Sequence, residues 1–314
     1  MDDSASTATV GDTPAPSFIG ERLERWVETH LRYIMLAPAV LILAALTLFP
    51  TFYMFTLSFQ KFNPAVDVPN EWVGLGNFAR LLTDEKFHNA LGNTLFFTGA
   101  AVGIEFVLGL SFALLVDKYI RRLNFIKTIL MLPMMLPPVA VAITWKLIYQ
   151  PQFGVLNDFL FRLGLPTGVW TSGADSAMWA IIFVDIWEWT PFIFLMMLAG
   201  IASLPEEPYE AADLDGASAW QKFRDLTWPF LRPVVTIALL LRLMDALRLF
   251  DQVFILTRGG PASVTETLSL YIFRVALRFQ DIGYAAAMSL FVLFSTIVLS
   301  TWFIRRMQMD DSKA

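Results

Sequence analysis

Ionisable side chains inside long apolar runs are the residues of this sequence best placed to do chemistry. They are Glu105, Asp185, Glu188, Arg242, Asp245, Arg248 and Asp251. A charged side chain at the centre of a membrane helix costs about 2.5–3.5 kcal/mol on insertion scales, so it is paired or lines a polar cavity. Carboxylates can bind the hydroxyl groups of a polar solute. Asp185 and Glu188, one helical turn apart, could alternatively serve as a general acid and base.

A structural role is the competing interpretation of these charges. Residues three apart in a helix are neighbours, so Arg242–Asp245 and Arg248–Asp251 can form ion pairs along one helix. Three residues advance a helix by about 300°, so these positions drift around about half its circumference and cannot all face one narrow pore. Glu105 is alone in its run, and we predict that it hydrogen-bonds a neighbouring helix.

The elements that must position these side chains are membrane helices. Of the 314 residues, 56% are apolar and only 16% are charged, whereas soluble domains are about 45–50% apolar. A bilayer core is spanned by about 20 apolar residues. The runs of that length are Tyr33–Phe59, Asn93–Val116, Phe125–Tyr149, Ala177–Gly200, Val234–Leu256 and Gly283–Ile304. We therefore predict an all-α integral membrane protein with six transmembrane helices.

The distribution of Lys and Arg predicts the orientation of these helices. Both residues are concentrated before the first run, in the second and fourth loops, and after the sixth run. Because cytoplasmic segments retain positive charge, we expect both termini and those two loops to be cytoplasmic. The predicted divisions are a disordered tail over 1–30, a first helix over 31–60, a five-helix core over 90–306 and a tail over 307–314. No basic segment precedes a short apolar core, so we predict an anchor and not a signal peptide.

Composition excludes several functional classes. The absence of cysteine excludes disulfides and thiolate sites. With His30 and His88 as the only histidines, we predict no metal site. The net charge of −5 offers no basic surface for nucleic acid. No Gly-x-x-x-x-Gly-Lys-Ser/Thr phosphate loop occurs, so we predict no catalytic residue and no cofactor in this chain.

The loop between the fourth and fifth runs carries the signals of two short helices. Ser203 and Glu206 have the spacing of a capping box, and Ser218 and Gln221 repeat it. Between them, Gly216 can adopt the left-handed conformation that ends a helix. A plain connector on the cytoplasmic face is the alternative interpretation of this loop.

The same loop resembles the EAA signature of the permease subunits of binding-protein-dependent ABC importers. Within residues 203–233, the matching residues are Glu210-Ala211-Ala212, Asp215-Gly216-Ala217, Pro229 and Pro233. Other stretches are similar to the sugar-importing branch of the maltose and trehalose type: Ile186-Trp187 with Pro191-Phe192, Leu249-Phe250-Asp251, and Thr257-Arg258-Gly259-Gly260-Pro261. The resemblance covers about residues 30–306.

This resemblance implies a division of labour between chains. The loop would be a cytoplasmic coupling helix that contacts an ATPase through Glu210, Ala211, Ala212, Asp215, Gly216 and Ala217. ATP and Mg would bind to two partner ATPase subunits. A second homologous permease subunit and an extracytoplasmic solute-binding protein would complete the importer, in the lipid of a bacterial or archaeal plasma membrane.

The resemblance also implies a carbohydrate-binding cavity between the fourth and fifth helices. Carried over by position, its candidate residues are Glu188, Trp189, Phe192, Arg242, Asp245, Leu249 and Asp251. Import of a glycerol-phosphate compound, with Arg242 and Arg248 as anion contacts, is one alternative. An ion-coupled secondary transporter that uses the buried carboxylates as proton sites is another, from a different class.

Overall fold

The structure is a computed structural model that describes residues 18–66, 70–119 and 124–311. Its described residues are predominantly helical, which confirms the predicted all-α class. The chain divides into two units, Met1–Thr56 and Leu57–Ala314.

The first unit contains most of one long helix, α1 (Phe18–Ser58), whose last two residues belong to the second unit. The helix begins well before the predicted first run, because residues 21–32 are rich in the helix formers Glu, Arg and Leu and contain no proline. Residues 18–30 are therefore helical where the sequence predicted a disordered tail, and residues 1–17 lie outside the described residues. Large apolar side chains such as Leu36 and Phe49 are exposed along α1, which suits a helix surrounded by lipid.

The second unit holds the remaining elements. Two short strands, β1 (Gln60–Lys61) and β2 (Glu71–Trp72), pair antiparallel. The helices are α2 (Gly76–Leu81), α3 (Glu85–Tyr119), α4 (Asn124–Met131), α5 (Pro138–Ile148), α6 (Val155–Arg162), α7 (Ala177–Ala202), α8 (Glu207–Leu214), α9 (Ala219–Lys222), α10 (Trp228–Ala246), α11 (Asp251–Leu256), α12 (Leu268–Phe273) and α13 (Ile282–Asp311). A 3-10 turn over Pro133–Met135 and π-helical segments over Phe223–Thr227 and Arg274–Arg278 connect some of them.

Among the described residues, four helices are long and apolar enough to cross a membrane. They are Thr29–Ser58, Glu85–Asp117, Ala177–Ala202 and Ile282–Arg305. These helices correspond to the first, second, fourth and sixth predicted runs. The last of them continues as α13 to Asp311, so part of the predicted C-terminal tail is helical, and residues 312–314 lie outside the described part.

The third predicted run is divided between α4 and α5. A proline cannot donate a backbone hydrogen bond and disfavours helical backbone in the residue before it. Leu136 and Pro137, each followed by a proline, accordingly have extended backbone with ψ of 142° and 136°. This run and the fifth, described next, are each divided between two helices, so the count of six spans stays a prediction.

The fifth predicted run is divided between α10 and α11 by residues 247–250, which we call the linker. The amides of Arg248 and Leu249 bond to carbonyls only three residues back, and Phe250 leaves the helical conformation with φ −134° and ψ −56°. Irregular backbone at membrane depth is tolerated where it is buried in protein or lines a cavity. The linker is therefore a candidate wall of a cavity.

Close packing of α7 against its neighbours depends on glycines. A Cβ atom added at Gly109 of α3 would lie 2.7 Å from Cγ2 of Ile193 and 2.9 Å from the backbone nitrogen of Phe194. A Cβ atom at Gly200 of α7 would lie 2.8 Å from Cδ2 of Leu231 on α10. These glycines allow α3 and α10 to approach α7 closely enough for polar side chains to meet between the three helices.

Candidate functional site

A buried ion cluster lies between α3, α7 and α10. The Arg242 side chain is 1% exposed and donates to the carboxylates of Glu105, Asp185 and Asp245. Nε and Nη2 of Arg242 lie 2.7 and 3.0 Å from the two Glu105 oxygens, and Nη1 lies 3.0 Å from Oδ2 of Asp245. Nη2 also donates to Asp185. The planar fork of arginine, with five donors, suits such multiple pairing.

Hydrogen bonds from one guanidinium hold the carboxylates of this cluster together in an apolar bundle. Glu105 and Asp185 are buried, and a buried charge costs several kcal/mol unless it is paired and hydrogen-bonded. Both carboxylates receive bonds from the single guanidinium of Arg242. The Arg242 guanidinium carbon also lies 5.1 Å from the ring centroid of Trp189, within reach of a cation–π contact.

Two of the pairings that the sequence predicted are confirmed and one is wrong. Arg242 pairs with Asp245 three residues later, and Glu105 bonds to a neighbouring helix. Arg248 and Asp251 do not form the predicted ion pair in the described structure, because α10 ends before Arg248. Nε of Arg248 donates instead to a backbone carbonyl one turn earlier, at 3.0 Å.

Gln252 on α11 extends the cluster to a further carboxylate. Its Nε2 lies 2.8 Å from Oε2 of Glu188 and 3.4 Å from Oδ1 of Asp185. Gln252 and Glu188 are both buried. Sequence reasoning missed Gln252 because a neutral amide among apolar residues does not stand out as a charge does. Its place directly after Asp251 was the available signal.

A small cavity of about 100 Å³ adjoins this cluster. Its polar or aromatic lining consists of Asp185, Trp189, Asp245, Arg248, Phe250, Asp251 and Gln252. A continuous helix would distribute Asp245, Arg248 and Asp251 around its circumference, whereas the linker brings all three to the same cavity. Carboxylates, an amide and an indole in one cavity can recognise a polyhydroxylated solute by hydrogen bonds and ring packing.

The structure separates the predicted substrate residues into three groups. Those that line the cavity are Trp189, Asp245, Leu249 and Asp251. Arg242 and Glu188 do not line it, but bond to residues that do. Phe192 is half-buried in another part of the core, with its ring centroid 6.4 Å from that of Trp189. Contact of these residues with a substrate stays a prediction.

The predicted pair of short helices follows α7. The first of them, α8, ends at Leu214 and is followed two residues later by Gly216, whose φ of +73° is left-handed. The amide of Ala217 donates to the carbonyl of Ala212 at 2.9 Å, and the amide of Gly216 donates to the carbonyl of Asp213 at 3.2 Å. This is the Schellman arrangement of a helix C-terminus, so the predicted role of Gly216 is confirmed.

One of the two predicted capping boxes is present. Ser218 and Gln221 cap α9 reciprocally, as predicted. The box predicted for Ser203 and Glu206 is wrong: Oγ of Ser203 donates to the carbonyl of Gly200 at 2.8 Å, which continues the end of α7. Glu206 is itself the residue before α8, and its side chain makes no capping bond.

Two further contacts fix α8 relative to the segment that follows it. Nζ of Lys222 lies 2.6 Å from Oδ1 of Asp213. The hydroxyl groups of Tyr209 and Thr227 are 2.9 Å apart. Side-chain contacts therefore join α8 to α9 at Lys222 and to the π-helical segment at Thr227.

The predicted coupling residues differ in exposure. Glu210, Ala211, Asp215 and Gly216 are exposed, whereas Ala212 and Ala217 are half-buried within the loop. Two large apolar side chains that were not predicted, Leu214 and Trp220, are 90% and 66% exposed. Apolar side chains this exposed on a polar loop are typical of a contact surface. Their presence in an otherwise acidic and small-residue stretch was the sequence signal that could have identified them.

Asp84 is the centre of a second polar cluster, at the start of α3. Its carboxylate accepts hydrogen bonds from the phenols of Tyr271 and Tyr284, at 2.7 and 2.8 Å, and from the amide of Lys86 at 2.9 Å. Burial opposes ionisation of Asp84, but these hydrogen bonds outweigh it and lower the pKa of the carboxyl below its usual value. The cluster ties the start of α3 to α12 and α13.

The helices, the buried ion cluster and the exposed helical pair together define a helical membrane protein with a polar core. The family model described as "Binding-protein-dependent transport system inner membrane component" matches residues 105–308. The chain belongs to this family.

Relatives of this chain include transport permeases from archaea and bacteria. The trehalose/maltose transport system permease protein MalF of Thermococcus litoralis is 35% identical over 277 residues, which are 88% of this chain and 92% of the relative. The sulfoquinovosyl glycerol transport system permease protein SmoG of Agrobacterium fabrum is 30% identical, over 92% and 95% of the two chains.

A solved structure has a similar fold. It is a crystal structure of a bacterial alginate ABC transporter in complex with an alginate pentasaccharide-bound periplasmic protein. One chain of that complex superposes with a TM-score of 0.76 and 25% identity, and the alignment covers 90% of this chain and 96% of the other.

Proposed function

We propose that this chain is the permease subunit of an ATP-driven importer that carries a sugar or a related polyol across the membrane. The observation that carries the proposal is the cavity lined by Trp189, Asp245 and Asp251 beside the break in the fifth predicted run. Carboxylates and an aromatic ring suit hydroxyl groups and C–H faces. Family membership supports the transport class, and the printed functions of the relatives support a carbohydrate substrate.

Energy reaches this chain through the α8–α9 pair. Glu210 presents a negative charge there, and Leu214 presents an exposed apolar side chain. A charge and an apolar anchor on a pre-organised element suit docking to a partner protein. The proposed partner is an ATPase subunit, present in two copies, which binds ATP and Mg. A second homologous permease and an external binding protein complete the importer, in a bacterial or archaeal plasma membrane with both termini of this chain cytoplasmic.

Uptake by the assembled complex tests the proposal. The chain is co-expressed with the binding protein, second permease and ATPase expected from neighbouring genes, and uptake of radiolabelled trehalose and maltose is measured. We expect ATP-dependent uptake that Glu210→Lys reduces at least tenfold, because an unmatched charge at a protein interface costs several kcal/mol. Asp158→Lys is the matched control: it reverses the charge of one exposed residue on α6 and should leave uptake unchanged.

Other outcomes distinguish the alternative functions. Uptake that survives ATP depletion while a proton gradient is intact would contradict the proposal and favour an ion-coupled carrier. Arg248, which lines the cavity, could bind an anion, so glycerol 3-phosphate is included as a competitor. Uptake of glycerol 3-phosphate without uptake of either sugar would replace the proposed substrate class.

A further inference from the structure

The amide of Gln252 is only half satisfied. Its Nε2 donates to Glu188, but its Oε1 is buried and accepts no hydrogen bond from the described residues. A buried acceptor without a partner costs about 1–3 kcal/mol, and most buried polar atoms in folded proteins have a partner. Gln252 lines the same cavity as Trp189 and Asp245, so a molecule that enters a wider form of that cavity can reach Oε1 and supply the missing donor.

Arg242, unlike Gln252, has a hydrogen-bond partner for each polar atom of its side chain. Its Nε, Nη1 and Nη2 atoms all donate to carboxylates already, and its side chain is 1% exposed. A substrate could reach this guanidinium only if these ion pairs were broken. One of them holds Asp245, whose side chain is 56% exposed and lines the cavity. Arg242 can therefore act on a substrate through Asp245.

We propose that Gln252 is a specificity-determining residue, whose Oε1 accepts a hydrogen bond from a sugar hydroxyl, and that Arg242 is a positioning residue that orients Asp245. This inference rests on the proposed sugar importer and assigns a substrate contact to α11, next to the residues carried over by position. Glu188 has a supporting role, because its carboxylate holds Nε2 of Gln252 and thereby directs Oε1 away from Glu188.

The cavity must widen before a sugar can contact Gln252. A volume of about 100 Å³ is well below the ~300–1,000 Å³ of typical ligand pockets, so a sugar requires a wider cavity than this conformation has. The wall contains the linker, where α10 and α11 are not joined by continuous helical hydrogen bonds. Displacement of the linker and α11 away from α7 would widen the cavity and leave the Gln252 amide facing the substrate.

The test compares substrate discrimination between permease variants. The complete complex, with one unchanged binding protein, is assayed for uptake of radiolabelled trehalose and of monodeoxy trehalose analogues, with maltose and its analogues as the second set. The binding protein also discriminates between sugars, but its contribution cancels when the ratio of rates for a sugar and its analogue is compared between wild type and variant. A site that bonds a given hydroxyl discriminates against the analogue that lacks it.

We expect one deoxy analogue to be transported about fivefold less well than its parent by the wild type, as for the loss of one hydrogen bond of about 1 kcal/mol. Gln252→Leu should abolish this discrimination for that analogue alone. Gln252→Asn, which keeps a shortened amide, should retain part of it and provides the measurement if the leucine variant does not assemble. Arg242→Lys should alter the same sugar-to-analogue ratio that Asp245→Asn alters, because both changes disturb the Asp245 carboxylate that lines the cavity, and it should leave the ratio that depends on Gln252 unchanged.

Each outcome decides a different part of the inference. Unchanged ratios in Gln252→Leu and in Gln252→Asn would overturn the assignment of Gln252 and leave the sugar importer intact; a bound water would then be the partner of Oε1. Equal lowering of all rates in Arg242→Lys, with every ratio unchanged, would overturn its role as a positioning residue, because a purely structural residue would have the same effect. If the wild-type complex imports neither trehalose nor maltose, the proposed function itself is contradicted, and that result is seen before any variant is compared.

Discussion

Arg242 and Glu105 are 137 residues apart in the sequence and form a two-pronged ion pair, with N–O distances of 2.7 and 3.0 Å. Both side chains are at most 1% exposed. Their pairing fixes α10 against α3, and the additional bond from Arg242 to Asp185 brings α7 to the same point. The polar core of the bundle is therefore organised by one guanidinium.

Removal of that guanidinium should destabilise the protein strongly. We expect Arg242→Met to lower the free energy of unfolding by about 3–5 kcal/mol, because it leaves buried carboxylates without compensation. Thermal unfolding of the detergent-solubilised chain measures the effect. Adding Glu105→Gln and Asp185→Asn should recover most of the loss. The control, Arg248→Met, removes an exposed arginine beyond the end of α10, and an equal loss in that variant would contradict the prediction.

The Asp84 cluster predicts a specific dependence of stability on pH. The pKa of Asp84 is lower in the folded protein than its usual value near 3.8, so the folded chain binds this proton less tightly than the unfolded chain does. The resulting stabilisation is complete above about pH 3.8 and is lost as the pH falls through the folded pKa. We expect wild type to be more stable than Asp84→Asn at pH 6, and the difference to shrink below pH 3.8.

The same measurement includes a control for the source of the effect. Tyr271→Phe removes one hydrogen bond from the carboxylate, so it should raise the pKa of Asp84 towards its usual value and reduce the pH-dependent difference. Asp158→Asn removes a carboxylate from an exposed pair with Arg162. The stability of this variant should depend on pH as that of wild type does. A constant gap between wild type and Asp84→Asn from pH 6 to pH 3 would contradict the prediction.

Gly216 should be replaceable only by residues that tolerate its conformation. Its φ is +73°, which costs a residue with a Cβ about 1–2 kcal/mol. We expect Gly216→Ala to weaken protection of the α8–α9 amides against hydrogen exchange by about fivefold or more, and Gly216→Asn to have a smaller effect. Gly92→Ala, in a helical position with open space around it, is the control, and equal loss of protection in that variant would argue against the conformational cause.

The contact between α3 and α7 should depend on Gly109. A Cβ atom there would lie 2.9 Å from the backbone nitrogen of Phe194, which cannot move aside as a flexible side chain can. We expect Gly109→Ala to lower the free energy of unfolding by about 1–3 kcal/mol, as measured by thermal unfolding. Gly103→Ala, on the same helix with nothing within 4 Å of its Cβ position, should be neutral. If Gly103→Ala lowered the free energy of unfolding more than Gly109→Ala did, the helices would not be packed as described.

Features that depend on neighbouring residues were predictable from the sequence. Apolar runs long enough for a bilayer indicated the helical membrane class, and Gly216 and the Ser218–Gln221 pair indicated the ends of the short helices, since these bonds join residues within one turn. The Arg242–Asp245 pair is local in the same sense. The Ser203–Glu206 box failed because the same local pattern can also continue the end of a preceding helix, and Ser203 bonds to Gly200.

What the tertiary structure alone decided is which distant groups meet. A buried charge must find a partner, but nothing in the sequence indicates that Arg242 pairs with Glu105 and Asp185 from two other helices. That choice depends on the close approach of those helices at Gly109 and Gly200. The linker likewise brings Asp251 and Gln252 to the cavity, which a regular helix would not do. The sequence alone determined that this is a helical membrane protein with buried charges, because composition and short-range bonds suffice for that, and the resemblance of residues 203–233 to the EAA signature indicated a permease. The partners of the buried charges depended on helix packing.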